Sequence, residues 1–319
     1  MGRDLNRRDA LRLTLGAAAG LSLVGCATQG AGRGAAKAVK YTPSVTPLGE
    51  RLLLVSGLGG NVLALRSDAG ILLVDTGAAG ATAALQAELK RFAGDAPVTT
   101  VINTHWHAEA TGGNDVFAAG GAKLISHAKA AQRMRAPQYV PGEDRYLPAR
   151  DKGAVPTEVF YLGKKELTFG SERIEYGYLQ QPHTDGDLYV WFKDSGVLAV
   201  GDAVAPVSDP LICWFEGGWV GGRVDSQEAL LTRGDAQTKI VASTGGVISR
   251  VEVGTETEAL KGMFERVSDA MRKGFTTEDM QRANLLSDLP RTWADPDKAL
   301  YDAHKSMWAH YNKLSHSIV

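Results

Sequence analysis

Short apolar runs, each ending in a turn, govern the middle of the chain. They fall at 52–55, 62–65, 71–74, 98–102, 158–162, 167–169, 174–179, 188–192 and 197–200, with Gly, Asp, Asn, Ser or Pro within a few residues of each end. Runs of this length between turn residues read as strands. Between the third and fourth, Ala84, Leu85, Leu89 and Phe92 recur at helical spacing and Gly94 supplies a stop, so a helix is expected over 81–92. Mostly strands with interspersed helices predict sheets packed on each other with helices outside. A charged fraction of 22% and a net charge of -1 exclude a disordered chain and give no basic footprint for nucleic acid.

The first residues belong to a different story. Arg3, Arg7, Arg8 and Arg12 precede an uncharged stretch rich in Ala, Gly and Leu over 13–24, the layout of a charged n-region and a short h-region. That stretch is too short and too diluted to span a bilayer, which takes about 20 apolar residues. Arg7-Arg8 with Leu11 and Arg12 resembles a twin-arginine export signal, and Leu23-Val24-Gly25-Cys26 resembles a bacterial lipobox. Residues 1–25 are therefore expected to be a cleaved signal, with Cys26 lipidated and 26–45 a flexible tether. This implies an exported protein of the periplasm that meets the membrane only through its lipid. Cys213 is then the remaining thiol, so no internal disulfide is expected, and it reads as a packed apolar residue.

Chemistry gathers where strands end. In His105-Trp106-His107, alternation along extended chain places two imidazoles on one side. An isolated pair of this kind is as readily polar strand-end packing as metal binding. Pro182-His183-Thr184-Asp185-Gly186-Asp187 adds a third histidine in a turn after a strand, and Gly201-Asp202 adds a carboxylate after another. Three histidines with an acid suit zinc, with a position left for water.

The ordered set Gly60-Asn61-Val62, Val74-Asp75-Thr76-Gly77, Thr104-His105-Trp106-His107, Thr111-Gly112-Gly113-Asn114, His183-Thr184-Asp185-Gly186-Asp187 and Gly201-Asp202 resembles the metallo-β-lactamase superfamily of hydrolases over about 47–253. The resemblance implies an α/β protein, an αββα sandwich over 46–253 with the metal site at one edge of the sheets. It implies that His105, His107 and His183 hold a metal and that Asp202 bridges outward or completes the site. Asp75 is expected to orient a ligand histidine from behind. The chain also departs from the family run His-x-His-x-Asp-His: Glu109 stands for the aspartate and Ala110 for the last histidine, while Thr244 occupies another expected histidine position. One zinc per chain is therefore expected.

A zinc held by three imidazoles brings the pKa of bound water to about 7. The expected function is a single-zinc hydrolase acting on a small ester, lactone, thioester or amide, with Glu109 positioning the water or carrying its proton. The competing reading is an inactive metal- or ligand-binding lipoprotein on the same scaffold. Arg145, Tyr146 and Arg150, in a Pro-rich insertion over 137–156, are candidate rim residues, and Trp214 to Trp219 a candidate cover. After Gly254, Thr255-x-x-Glu258 resembles a helix cap before the stripe Leu260, Met263, Phe264, Val267 and Met271, and Thr276 precedes another helix. The segment 254–319 is expected to be a helical extension that packs on the same domain or makes a homodimer contact.

Overall fold

In the computed structural model, residues 39–141 and 144–312 are described. The expected signal peptide, Cys26 and most of the expected tether lie outside them. The first sheet starts as an antiparallel meander of β1 (Ser44–Pro47), β2 (Leu52–Ser56), β3 (Val62–Ser67) and β4 (Gly70–Val74). Helix α1 (Thr82–Ala93) then returns the chain to β5 (Val98–Ile102), parallel to β4. Two short helices, α2 (Ala108–Thr111) and α3 (Asn114–Ala119), lead to β6 (Lys123–His127), again parallel.

After α4 (Ala128–Arg135), the Pro-rich insertion forms a small hairpin of β7 (Gln138–Val140) and β8 (Arg145–Leu147). The chain then adds β9 (Glu158–Phe160) beside β6. The second sheet runs β10 (Lys164–Phe169), β11 (Glu172–Tyr178), β12 (Leu188–Phe192), β13 (Val197–Gly201), β14 (Lys239–Ala242) and β15 (Val247–Ile248) in order, with only the β13–β14 pairing parallel among them. Helix α5 (Val220–Leu231) connects β13 to β14, and α6 (Arg250–Arg272), α7 (Thr277–Arg282) and α8 (Pro296–Tyr311) follow β15.

The layers are visible in which side chains meet. Leu54, Leu65, Val74 and Ile102 of the first sheet share one buried cluster with Ile174, Val190, Phe192 and Val241 of the second, so the sheets pack face to face. On the outer side of the first sheet Val62, Leu73 and Val101 meet Leu85 and Leu89 of α1. Outside the second, Leu198, Val200 and Ile240 meet Leu230 of α5 and Val253 of α6. The order helix, sheet, sheet, helix is the αββα sandwich expected from the sequence.

Several boundaries differ from the sequence reading. Strand β1 starts at Ser44, inside the stretch read as tether, because a fully exposed edge strand carries no apolar pattern to announce it. The run at 158–162 ends as a strand at Phe160, leaving Tyr161 and Leu162 exposed. Helix α6 starts five residues before Thr255: Ser249 accepts from Glu252 N and Glu252 returns a bond to the Ser249 backbone, a capping box one and a half turns earlier. Thr255 sits inside the helix and donates to Val251 O.

Candidate metal centre

The loop after β5 is built from below. Asp75 takes a left-handed backbone, φ 61°, and so turns its carboxylate toward the neighbouring strand end. Its Oδ1 accepts from Thr104 N at 2.8 Å and its Oδ2 from Thr104 Oγ1 at 2.7 Å. Asn103 and Asn114 exchange side-chain hydrogen bonds at 2.8 and 3.1 Å, and Thr76 Oγ1 donates to Asn114 Oδ1, which ties α3 to the same loop. Gly201, φ 56°, lies so close that a Cβ would meet Thr104 Cβ at 2.9 Å, so the strand end carrying Asp202 can approach only without a side chain there.

This scaffold gathers His105, His107 and His183, all buried, with one ring nitrogen of each within 4.8 Å of the others. Their outward nitrogens decide what the inward ones offer. The proton of Thr104 Oγ1 goes to Asp75, so that oxygen accepts from His105 Nδ1–H at 2.9 Å. His107 Nε2–H donates to Glu216 Oε2 at 2.7 Å, and His183 Nδ1–H donates to Leu211 O at 2.8 Å. With those protons outward, His105 Nε2, His107 Nδ1 and His183 Nε2 all turn lone pairs to one point. Two of these lone pairs lie only 3.0 Å apart, an arrangement that a shared cation stabilises. The donor set thus fits a metal ion such as zinc.

Two carboxylates face the same point. Asp202 Oδ2 is 3.2 Å from His105 Nε2 and 3.7 Å from His183 Nε2. Glu109, on the first turn of α2 and a quarter exposed, puts Oε1 3.5 Å from both His105 Nε2 and His107 Nδ1. Burial opposes its charge, but bonds to His105 and His107 hold Glu109 well below the usual carboxylate range. Burial likewise opposes a charged His105, yet Glu109 and Asp202 lift it to about 9, so below that value a cation binding at this point takes the place of an Nε2 proton. Burial raises Asp75 to about 7 despite the His105 charge and the Thr104 bonds. A carboxylate oxygen of Glu109 also lies within 4.8 Å of ligand atoms of His105 and Asp202, so a residue read from sequence as a proton carrier also stands where a ligand would.

Sequence reasoning missed Glu216. It is 4% exposed, at the end of a 3₁₀ turn over Trp214–Glu216, and also accepts from Trp106 Nε1 at 3.1 Å. Its distance of 109 residues from His107 leaves no local signal. Cys213 is buried as expected, but its thiol forms a close group with His107 and Glu216, so it is not mere filling. Asp187 accepts from His183 N, Thr184 N and Thr184 Oγ1, and Asp185 takes a two-bond pair from Arg133, so both shape the turn. His127 caps α4, and His304 bonds Thr277 Oγ1 far from the cluster.

Of the rim candidates, Arg150 feels the Glu109 charge, although burial holds it below its ordinary value. Its backbone N bonds Met134 O, and Met134 packs with Trp106. Tyr146 pairs with Tyr139 on the exposed hairpin. Trp219 stacks on His310 of α8 at 3.7 Å, which makes it packing and not a cover. Neither Ala110 nor Thr244 carries an imidazole.

Comparisons with known proteins agree with this geometry. The family model for the metallo-beta-lactamase superfamily matches residues 55–239. A hydroxyacylglutathione hydrolase of Rhodospirillum rubrum is 31% identical over 109 residues, which is 34% of this chain and 34% of that protein, so the match spans about a third of the relative. Among solved structures, a metallo-beta-lactamase from Pontibacter korlensis superposes with a TM-score of 0.57 at 17% identity, over 69% of this chain and 99% of its own. A stereoselective inverting sec-alkylsulfatase from Pseudomonas sp. gives 0.59 at 16% identity, over 86% and 50%. The matched stretch holds the three-histidine cluster and both facing carboxylates, and the chain belongs to the metallo-beta-lactamase superfamily.

Proposed function

We propose that this chain is a single-zinc hydrolase of small acyl substrates: an ester, lactone, thioester or amide. The observation that carries it is the convergence of three imidazole lone pairs whose opposite nitrogens are each committed to an acceptor. His105, His107 and His183 would hold the ion, with Asp202 beside them. A bound ion would supply Lewis acidity, lowering the pKa of a water toward neutrality and polarising a carbonyl. The remaining steps belong to the chain. Glu109, ionised and partly open to solvent, accepts the proton of the attacking water and delivers it to the leaving group. Asp75 through Thr104, and Glu216 directly, keep His105 and His107 in the ligating tautomer. Arg150 makes no side-chain hydrogen bond or ion pair among the described residues, and receives an anionic group of the substrate at the rim.

The partial likeness to a hydroxyacylglutathione hydrolase supports acyl hydrolysis without fixing the substrate. Export through the Arg7-Arg8 signal, lipidation of Cys26, a periplasmic location and a homodimer through the C-terminal helices belong to the same proposal. Metal analysis of the purified chain tests it: about one zinc per chain, lost in His107→Ala, supports the centre, and a chain that takes up no metal sinks it. A screen of lactones, esters, thioesters and β-lactams then separates a hydrolase from an inactive metal-binding lipoprotein.

A further inference from the structure

Arg223 of α5 is 0% exposed and Glu256 of α6 is 4% exposed, so a full ion pair lies in the interior. Burying such a pair gains little stability over apolar packing of the same shape. Its bonds suggest another use, since they converge on the segment just after β13. Arg223 Nη1 donates to Asp202 O at 2.6 Å, while its Nε and Nη2 bind Glu256 Oε1 at 3.3 and 3.2 Å. Ala205 N donates to both Glu256 oxygens, at 3.2 and 3.0 Å. Gln227 Nε2 joins the two ends, bonding Glu256 Oε1 at 2.7 Å and Ala203 O at 2.8 Å. Arg291, from the segment before α8, pairs with Glu256 Oε2 at 3.2 Å and bonds Ala205 O at 2.8 Å.

The carbonyls of residues 202, 203 and 205 and the amide of Ala205 are therefore held from α5, α6 and the segment before α8, while Ala203 N bonds Val200 O of β13. Among the described residues the Asp202 carboxylate makes no hydrogen bond or ion pair outside the histidine cluster. Its place beside His105 and His183 is set by the backbone beneath it.

We infer that Glu256 is a positioning residue for the cation site: through Arg223, Gln227 and Ala205 it fixes the turn that presents the Asp202 carboxylate to the three histidines. The inference rests on the proposed metal centre and assigns α6 and the segment before α8 a part in it. A neutral residue at 256 leaves the Arg223 charge without its partner, and the turn carrying Asp202 shifts.

The test is a zinc titration of the full chain, read by competition with a chromogenic chelator, for wild type, Glu256→Gln, Asp202→Asn and the double variant. Glu256→Gln should weaken zinc binding about 10–100-fold, the range for groups that orient metal ligands. In the Asp202→Asn background the same change should cost less than about twofold, because the carboxylate it positions is gone. An equal loss in both backgrounds, or a lower Tm with unchanged zinc affinity, overturns the inference. If Glu256→Gln does not fold, Gln227→Leu removes the Ala203 bond without stranding a charge and should give the same coupling to Asp202, though smaller. Wild type that binds no zinc removes the metal centre itself, whereas wild type that binds while both variants bind equally well removes only the role of Glu256.

Discussion

Glu216→Gln probes the centre from its outer side. One carboxylate oxygen accepts from His107 Nε2–H at 2.7 Å and from Trp106 Nε1–H at 3.1 Å, in a site with almost no water access. Glutamine keeps the shape and an oxygen acceptor but removes the charge. A bond to a charged acceptor contributes about 1.5–3 kcal/mol and a neutral one about 0.5–1.5, a difference of about 1–1.5 per bond, so two bonds together lose about 2–3 kcal/mol. Less electron density reaches His107, and its inward lone pair binds a cation less well. Loss of such an orienting partner costs about 10–100-fold in metal affinity, or about 1.4–2.8 kcal/mol, which overlaps the bond estimate.

If the amide turns its NH₂ toward His107, the ring must carry its proton on Nδ1, which blocks the ligating position and deepens the loss. The assay is zinc competition alongside a thermal melt of the metal-free chain. Glu216→Gln that holds zinc within about twofold of wild type refutes the reasoning. Glu216→Leu is harsher, since it strands two buried donors at about 1–3 kcal/mol each, and its Tm should fall well below that of the glutamine variant.

Glu109→Gln should keep zinc stoichiometry while turnover drops about 10²–10⁴-fold, as removal of a general base does; unchanged turnover of the loaded enzyme ends its proposed role. Gly201→Ala meets both a positive φ and Thr104 at 2.9 Å, so it should destabilise the fold by about 1–3 kcal/mol in urea titration, and an unchanged midpoint would show that the turn relaxes freely. Burial opposes the charge of Glu175, but Lys164, Tyr189 and Lys193 hold it down from about 4.5 to about 2. A folded value below the unfolded one stabilises above about 4.5, and this contribution is lost as pH falls toward about 2. Glu175→Gln should therefore narrow the stability gap between pH 6 and pH 3, measured by urea midpoints; an identical gap removes the linkage.

Much of the sandwich was legible because its strands are buried on at least one face. The apolar run at 188–192 and the β-branched run at 98–102 match β12 and β5 end to end. Legibility failed where packing is absent or ambiguous. Strand β1 is wholly exposed, and β10 begins at Lys164 with lysines that face solvent, three residues before its first apolar position. Ser249 and Thr255 both satisfy the spacing of a capping box, and only the antiparallel β14–β15 pairing, which ends at Ile248, selects the first. In the site, histidines at strand ends could be read directly because neighbouring chain segments announce them. Glu216, Leu211 O and the Arg223–Glu256 pair could not, since their partners lie far along the sequence and are met only once both sheets and the helices have closed.

The three outward acceptors behind the histidines are of different chemical kinds: a threonine hydroxyl, a glutamate carboxylate and a peptide carbonyl. Side-chain substitution at Leu211 cannot delete a main-chain oxygen, so the His183 arm is shielded from point mutation at its support. The His105 arm is removable at Thr104 or at Asp75 behind it. The His107 arm hangs on the Glu216 carboxylate with the Cys213 thiol beside it, and among random variants in these ring supports, losses of metal should fall at positions 75, 104 and 216 and spare 211.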